Sequence, residues 1–231
     1  MLSELENAEK MLTNVKRPYT AIMGGAKVSD KIEIMQQLLD HVDNLLIGGG
    51  MAYTFLRARG FEIGKSLVEE DKVVTAANII KLAREKGVTV IVPVDSVVSD
   101  TFGEDGRTAL VMNNSIPPDM MGLDIGPQTW KAFNAVILES KTILWNGPMG
   151  VFEMKKFSTG TFAIAKSIVE ATKNGAYSLI GGGDSAAAIA DAGFDDQVSY
   201  VSTGGGALLE YLEGKELPGV VALREENVKM E

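Results

Sequence analysis

No cysteine occurs in this 231-residue chain, which excludes disulfides, a thiolate nucleophile and any cysteine metal site. The single histidine, His41, excludes a multi-histidine metal cage. Long apolar runs are missing as well; no stretch approaches the roughly 20 residues that a bilayer span needs. The opening Met1-Leu2-Ser3-Glu4-Leu5-Glu6 is acidic and polar. A signal peptide would need a basic start and an apolar stretch, so the expected location is the cytoplasm. Positive charge is in deficit, with 22 Lys and Arg against 31 Asp and Glu and a net charge of -9. That balance argues against non-specific nucleic-acid binding, which needs a basic face. A polyanionic ligand must therefore be held by a local concentration of donors working against the overall field.

Glycine is what the chain has in plenty. There are 25, and many are bunched. The chain repeats one unit: a short β-branched run, a glycine cluster, then an amphipathic helix. Tyr19 to Met23 leads into Gly24-Gly25, and Ile32, Met35, Leu38, Leu39 and Val42 follow at helical spacing. Asn44 to Ile47 leads into Gly48-Gly49-Gly50 and a helix through Phe55. Thr142 to Trp145 leads into Asn146-Gly147-Pro148-Met149-Gly150, and Tyr177 to Ile180 into Gly181-Gly182-Gly183 and a helix from Asp184. Val198 to Val201 leads through Ser202-Thr203 into Gly204-Gly205-Gly206 and a last helix near Leu208 to Leu212. A helix carrying Val73, Ala76, Ala77, Ile80 and Ala83 precedes a strand at Thr89 to Val92, and another helix runs from Ser158 to about Thr172.

Alternating strands and helices predict an α/β fold: a doubly wound, mainly parallel sheet with helices on both faces, a Rossmann-like three-layer arrangement. Ligands in such sheets sit beyond the carboxyl ends of the strands, where all five glycine clusters fall. The segment 101–128 reads as long excursions over the sheet edge, the first 17 residues as a solvated helix or linker, and the tail after Gly214 as aperiodic.

Tight βα turns need glycine for their own sake, so one cluster alone says little. Five at one end of a sheet point to a binding floor for phosphate, because helix starts there aim free N–H groups at the gap. Lys27 and Lys31 lie four apart and would share a face of a helix opening at Ser29 or earlier. Two cations there oppose the helix dipole, which suggests function; the alternative is a pair of solvated surface lysines. Asp184 and Ser185 can be N-caps, or a carboxylate for Mg²⁺ and a hydroxyl for phosphate. Gly64-Lys65-Ser66 matches the end of a P-loop, but the motif's first glycine would fall on Arg59, so the match fails. Gly181-x-Gly183-x-x-Ala186 fits the dinucleotide pattern of an NAD-dependent oxidoreductase. No acidic residue ends the next strand to grip a ribose, which makes that reading the runner-up.

The motif blocks carry a family resemblance. Gly24 to Ile32, Ile47 to Ala52, Met121 to Pro127, Trp145 to Glu153, Ile180 to Ser185 and Val201 to Ala207, in this order, make the chain similar to phosphoglycerate kinase over roughly residues 17–223. The resemblance implies the carboxyl-terminal, nucleotide-binding domain of a two-domain enzyme. Residues 18–213 would form that domain, 1–17 an interdomain helix or linker, and 214–231 a tail that in the family packs on the amino-terminal half.

By the same resemblance, the activity is phosphoryl transfer between 1,3-bisphosphoglycerate and ADP, with Mg²⁺ and ADP or ATP bound. The parent enzyme would be monomeric and cytoplasmic, with no nucleic-acid or membrane partner. Lys27 would meet the transferring phosphoryl group and Lys31 the terminal phosphates, as the catalytic pair. Asp184 would hold Mg²⁺, with Gly181, Gly182, Gly183 and Ser185 at the phosphates. Glu153 would bond the ribose. Gly49, Gly50, Leu67, Phe102, Gly122, Leu123 and Val151 would form the adenine pocket. Gly25, Ala26, Asn146 and Pro148 complete the nucleotide site, and Gly183, Gly204, Gly205 and Gly206 the helix-start donors. The resemblance also implies that the amino-terminal half, with its phosphoglycerate-binding basic cluster, is absent. The chain alone is then expected to bind nucleotide without efficient turnover, or to serve as a nucleotide-binding module without catalysis. Arg224 to Glu231 departs from the family's short ending.

Overall fold

The computed structural model describes residues 2–13, 15–202, 204, 206–212 and 214–215. The strands in chain order are β1 (Tyr19–Met23), β2 (Asn44–Ile47), β3 (Thr89–Ile91), β4 (Asp95–Ser99) and β5 (Thr108–Met112). They continue as β6 (Met121–Ile125), β7 (Thr142–Asn146), β8 (Tyr177–Gly181) and β9 (Tyr200–Val201). The helices are α1 (Leu2–Glu9), α2 (Ile32–Leu38), α3 (Ala52–Ala58) and α4 (Val73–Glu85). After them come α5 (Pro127–Glu139), α6 (Thr159–Lys173), α7 (Gly183–Asp191) and α8 (Gly206–Leu212).

Six strands form one parallel sheet in the order β3-β2-β1-β7-β8-β9. The chain builds outward from β1 to β3, returns to the centre, and builds the other way from β7 to β9. The winding direction reverses between β1 and β7, and open α/β sheets bind their ligands at such a reversal. Register keeps the strand ends level there: Met23 lies opposite both Ile47 and Asn146, and Asn146 opposite Gly181.

β1 and β7 are buried at every residue, as central parallel strands are when helices cover both faces. Successive side chains then feed two cores. Ala21, Met23, Leu45, Ile47 and Leu144 pack on one face with residues of α2, α3 and α4. Ile22, Leu46, Ile143, Trp145 and Ile180 pack on the other with α5, α6 and α7. The doubly wound sheet expected from the sequence is therefore present.

Three expectations need correction. Segment 101–128 holds β5, β6 and the start of α5. With β4, which the apolar pattern did not reveal, these strands form a second, antiparallel sheet in the order β5-β4-β6. Its strands hide from an apolar reading because β4 buries Asp95, Ser96 and Ser99, while β6 carries Gly122 and Asp124. Asp95 is satisfied in place: its carboxylate accepts the amides of Gln128 and Thr129 and the Thr129 hydroxyl. Next, the amino-terminal helix is not solvated all round. Ala8 and Met11 are fully buried in the same core as Leu208 and Leu212, and α1 packs against α8. Finally, α2 opens at Ile32, with Lys31 as its N-cap residue, so Lys27 and Lys31 do not share a helix face. Residues 216–231 lie outside the described residues.

Candidate functional site

Four turns meet at the level carboxyl ends of β1, β2, β7 and β8. Those after β1, β2 and β7 bond to one another through backbone: Gly24 N–H to Asn146 O at 2.8 Å, Gly25 N–H to Pro148 O at 2.9 Å, and Gly49 N–H to Met149 O at 3.1 Å. Met51 N–H closes the set on Gly25 O at 3.0 Å. Such turn-on-turn contact explains much of the glycine. A β-carbon on Gly24 would sit 2.6 Å from the Gly147 carbonyl oxygen, and one on Gly49 would sit 2.5 Å from the Gly25 nitrogen. Gly182, at a left-handed φ of 92°, makes room for the Asn146 amide. Gly25 and Gly183, by contrast, face open space. The clusters are thus partly a binding floor and largely the packing that holds it flat.

Beside this floor lies a cavity of about 430 Å³ between the main sheet and the small one. All seven residues expected at an adenine pocket line it: Leu67, Phe102, Leu123 and Val151 as apolar walls, and Gly49, Gly50 and Gly122 as edges. Gly25, Ala26 and Pro148 line the same cavity, as do the exposed carboxylates Glu153 and Asp184. Leu67 and Phe102 remain 48% and 64% exposed.

The remaining expected residues sit under or beside the cavity. Lys31 donates from Nζ to Asn146 Oδ1, and Asn146 Nδ2 donates to the Gly181 carbonyl at 2.6 Å. Asn146 is 1% exposed, so the amide bridges the ends of β7 and β8 and holds the lysine in place. Ser185 is fully buried, and its oxygen accepts the Gly147 amide at 2.6 Å. Its hydroxyl is therefore a brace between the β7 turn and α7. Lys27 is exposed on the stretch between β1 and α2 and does not line the cavity. Gly181, Gly182 and Gly183 form the β8 turn and the start of α7 without lining it. Gly204 gives its amide to the Glu4 carboxylate at 3.1 Å, away from the cavity. Gly206 opens α8, and Gly205 lies outside the described residues.

Sequence reasoning missed Tyr53, Lys65 and Asp124, which also line the cavity. Tyr53 is buried and donates its hydroxyl to Ser96 at 2.8 Å, tying α3 to the small sheet. Burial pushes the Asp124 carboxyl up to about 8, against the pull of amide bonds from Gly160 and Ile125. Asp124 stood inside a motif block, but nothing in its neighbours signals burial. Lys65 was weighed only as part of the rejected P-loop match. Ser66 supports that rejection, since its oxygen accepts the Gly122 amide at 2.9 Å and braces the pocket wall.

No group of three acidic or histidine side chains could hold a metal among the described residues. Asp184 is the carboxylate beside the floor's open end, in the first turn of α7. One carboxylate fits Mg²⁺, which keeps several waters and takes its other ligands from substrate phosphates. No helix among the described residues is long and apolar enough to cross a membrane.

The family model described as phosphoglycerate kinase matches residues 1–215. Phosphoglycerate kinase of Porphyromonas gingivalis is 57% identical over 224 residues, 97% of this chain and 54% of that protein. The Chloroherpeton thalassium phosphoglycerate kinase is 53% identical over 220 residues, 95% of this chain and 55% of that protein. Among solved structures, phosphoglycerate kinase from Coxiella burnetii matches with a TM-score of 0.91 at 43% identity, covering 95% of this chain and 56% of that one. The Pyrococcus horikoshii OT3 phosphoglycerate kinase matches at 0.82 and 29% identity, over 97% and 56%. The chain spans about half the length of these relatives. With a family match over residues 1–215 and relatives 57% and 53% identical over nearly the whole chain, the chain belongs to the phosphoglycerate kinase family.

Proposed function

We propose that this chain is the nucleotide-binding half of a phosphoglycerate kinase. It binds Mg-ADP or Mg-ATP for reversible phosphoryl transfer between ADP and 1,3-bisphosphoglycerate, in the cytoplasm. Residues 18–213 form the nucleotide domain, and 1–17 and 214–231 adjoin a second domain that carries the phosphoglycerate. The observation that supports this most is one continuous arrangement: an apolar slot opening onto Gly25, Ala26 and Asp184, with Lys31 fixed by Asn146 at the adjoining strand end.

In this reading the base lies between Leu67, Phe102, Leu123 and Val151, and Glu153 accepts bonds from the ribose. The phosphates run over the open face of Gly25 toward the start of α7, whose free amides and dipole favour negative charge. Lys31 and Lys27 supply the positive charge that the chain as a whole lacks. Mg²⁺ held by Asp184 would neutralise phosphate charge during transfer. The phosphoryl acceptor is a carboxylate, ionised at neutral pH, so no protein base is needed. Positioning and charge neutralisation carry the reaction, which suits a site without histidine or cysteine.

These 231 residues alone bind nucleotide but do not turn over, because water exclusion and substrate alignment need closure onto a second domain. Calorimetric titration with ADP, with and without Mg²⁺, tests the binding claim. Mg²⁺-dependent binding that Lys31→Ala weakens about tenfold or more is expected. Failure to bind ADP would remove the reading, and full activity from the isolated chain in a coupled assay would remove its second part.

A further inference from the structure

The seven residues 25–31 between β1 and α2 carry both lysines of the site, yet they belong to no helix or strand. Their anchor lies elsewhere in the chain. Ser29 donates its amide to Glu69 Oε2 at 3.0 Å and its hydroxyl to Glu69 Oε1 at 2.6 Å. Glu69 is itself held, its amide donating to Thr54 Oγ1 on α3 at 3.2 Å. Two residues before it stands Leu67, a wall of the apolar cavity, and four before it Lys65, which also lines that cavity. The short segment 65–69 therefore shapes the base slot at one end and grips the lysine loop at the other. Burial opposes ionisation of Glu69, yet the two Ser29 bonds, with the Val28 amide nearby, keep its carboxyl below the ordinary range. The charged, double-acceptor form is thus the one present at neutral pH.

We propose that Glu69 is a positioning residue for nucleotide binding, fastening the lysine-bearing loop at a fixed place relative to the base slot. The proposal rests on the nucleotide reading above and adds the device that orders its phosphate half. Without the clamp, the loop must be ordered by the ligand itself, and that ordering is subtracted from affinity. Only ligands with phosphates would be penalised, because the base slot keeps Leu67, Phe102 and Leu123. A residue of merely structural importance would weaken every ligand alike.

The test uses the full 231-residue chain and its Glu69→Gln, Glu69→Ala and Ser29→Ala variants. Each is titrated by NMR with Mg-ADP and with adenosine, and thermal unfolding is followed in parallel. Glu69→Ala is expected to weaken Mg-ADP about tenfold and adenosine by less than about twofold, with Ser29→Ala and Glu69→Gln in between. Equal losses for the two ligands, or no loss for Mg-ADP, would overturn the proposal. If the unaltered chain binds no Mg-ADP, the nucleotide reading fails first and takes this one with it.

Discussion

Replacing Asp124 with Asn removes a carboxyl that the fold keeps from water. The side chain is 2% exposed, and burial pushes its titration from the ordinary 3.8 up to about 8. Between those limits the folded chain keeps a proton that the unfolded chain has released. Stability must then fall as pH rises, by about 1.4 kcal/mol per pH unit. The contribution is complete below the unfolded value and lost as pH climbs through the folded one. From about pH 5 to pH 8 the loss amounts to about 3.5 kcal/mol. Asn cannot titrate and leaves the other carboxylates in place, so the difference between parent and variant isolates this group. Urea unfolding at a series of pH values measures it directly. The parent should lose about 3.5 kcal/mol relative to Asp124→Asn across that window, becoming the less favoured of the two toward alkaline pH. Curves that stay parallel would refute the reasoning. They would mean that the amides of Gly160, at the start of α6, and Ile125, at the end of β6, hold the carboxylate ionised throughout.

Gly24→Ala places a methyl 2.6 Å from the Gly147 carbonyl oxygen, a backbone atom fixed by its own turn. A loss of about 2–4 kcal/mol in unfolding free energy, with ADP binding abolished, is expected by denaturant titration and calorimetry. Asn146→Ala removes the acceptor of the bond from Lys31 Nζ. In a double-mutant cycle on ADP affinity, Lys31→Ala should cost about tenfold in the parent and less than about threefold in the Asn146→Ala background. Additive losses would show that the two residues act independently.

The legible part of this fold was the part built from apolar repetition. β1, β2, β7 and β8 came out nearly to the residue because buried parallel strands are continuous β-branched runs. The small sheet did not, because its strands hide polar groups in place of apolar ones. Asp95 caps the start of α5, and Ser96 receives the Tyr53 hydroxyl, so β4 does not alternate as a pattern search requires. Within the site, the motif blocks held Gly49, Gly50, Gly122, Leu123 and Val151 of the cavity lining, while Leu67 and Phe102 lie outside every block and Tyr53 and Lys65 gave no signal. The blocks could not tell which glycines face a ligand and which face another turn, since Gly24 and Gly25 are identical in sequence terms. Only three-dimensional neighbours distinguish them. The lysine pair shows the same limit: its four-residue spacing suggested a helix face, but the chain stays irregular until Ile32 because Glu69 holds the loop from outside.

The two sheets share no strand. Across the crevice they are joined by cross-links such as Val151 N–H to Leu123 O and the Tyr53 hydroxyl to Ser96. The slot is accordingly a joint between two plates and not a hole bored through one. Its width is therefore set by those few cross-links, and by no ladder bond within either sheet.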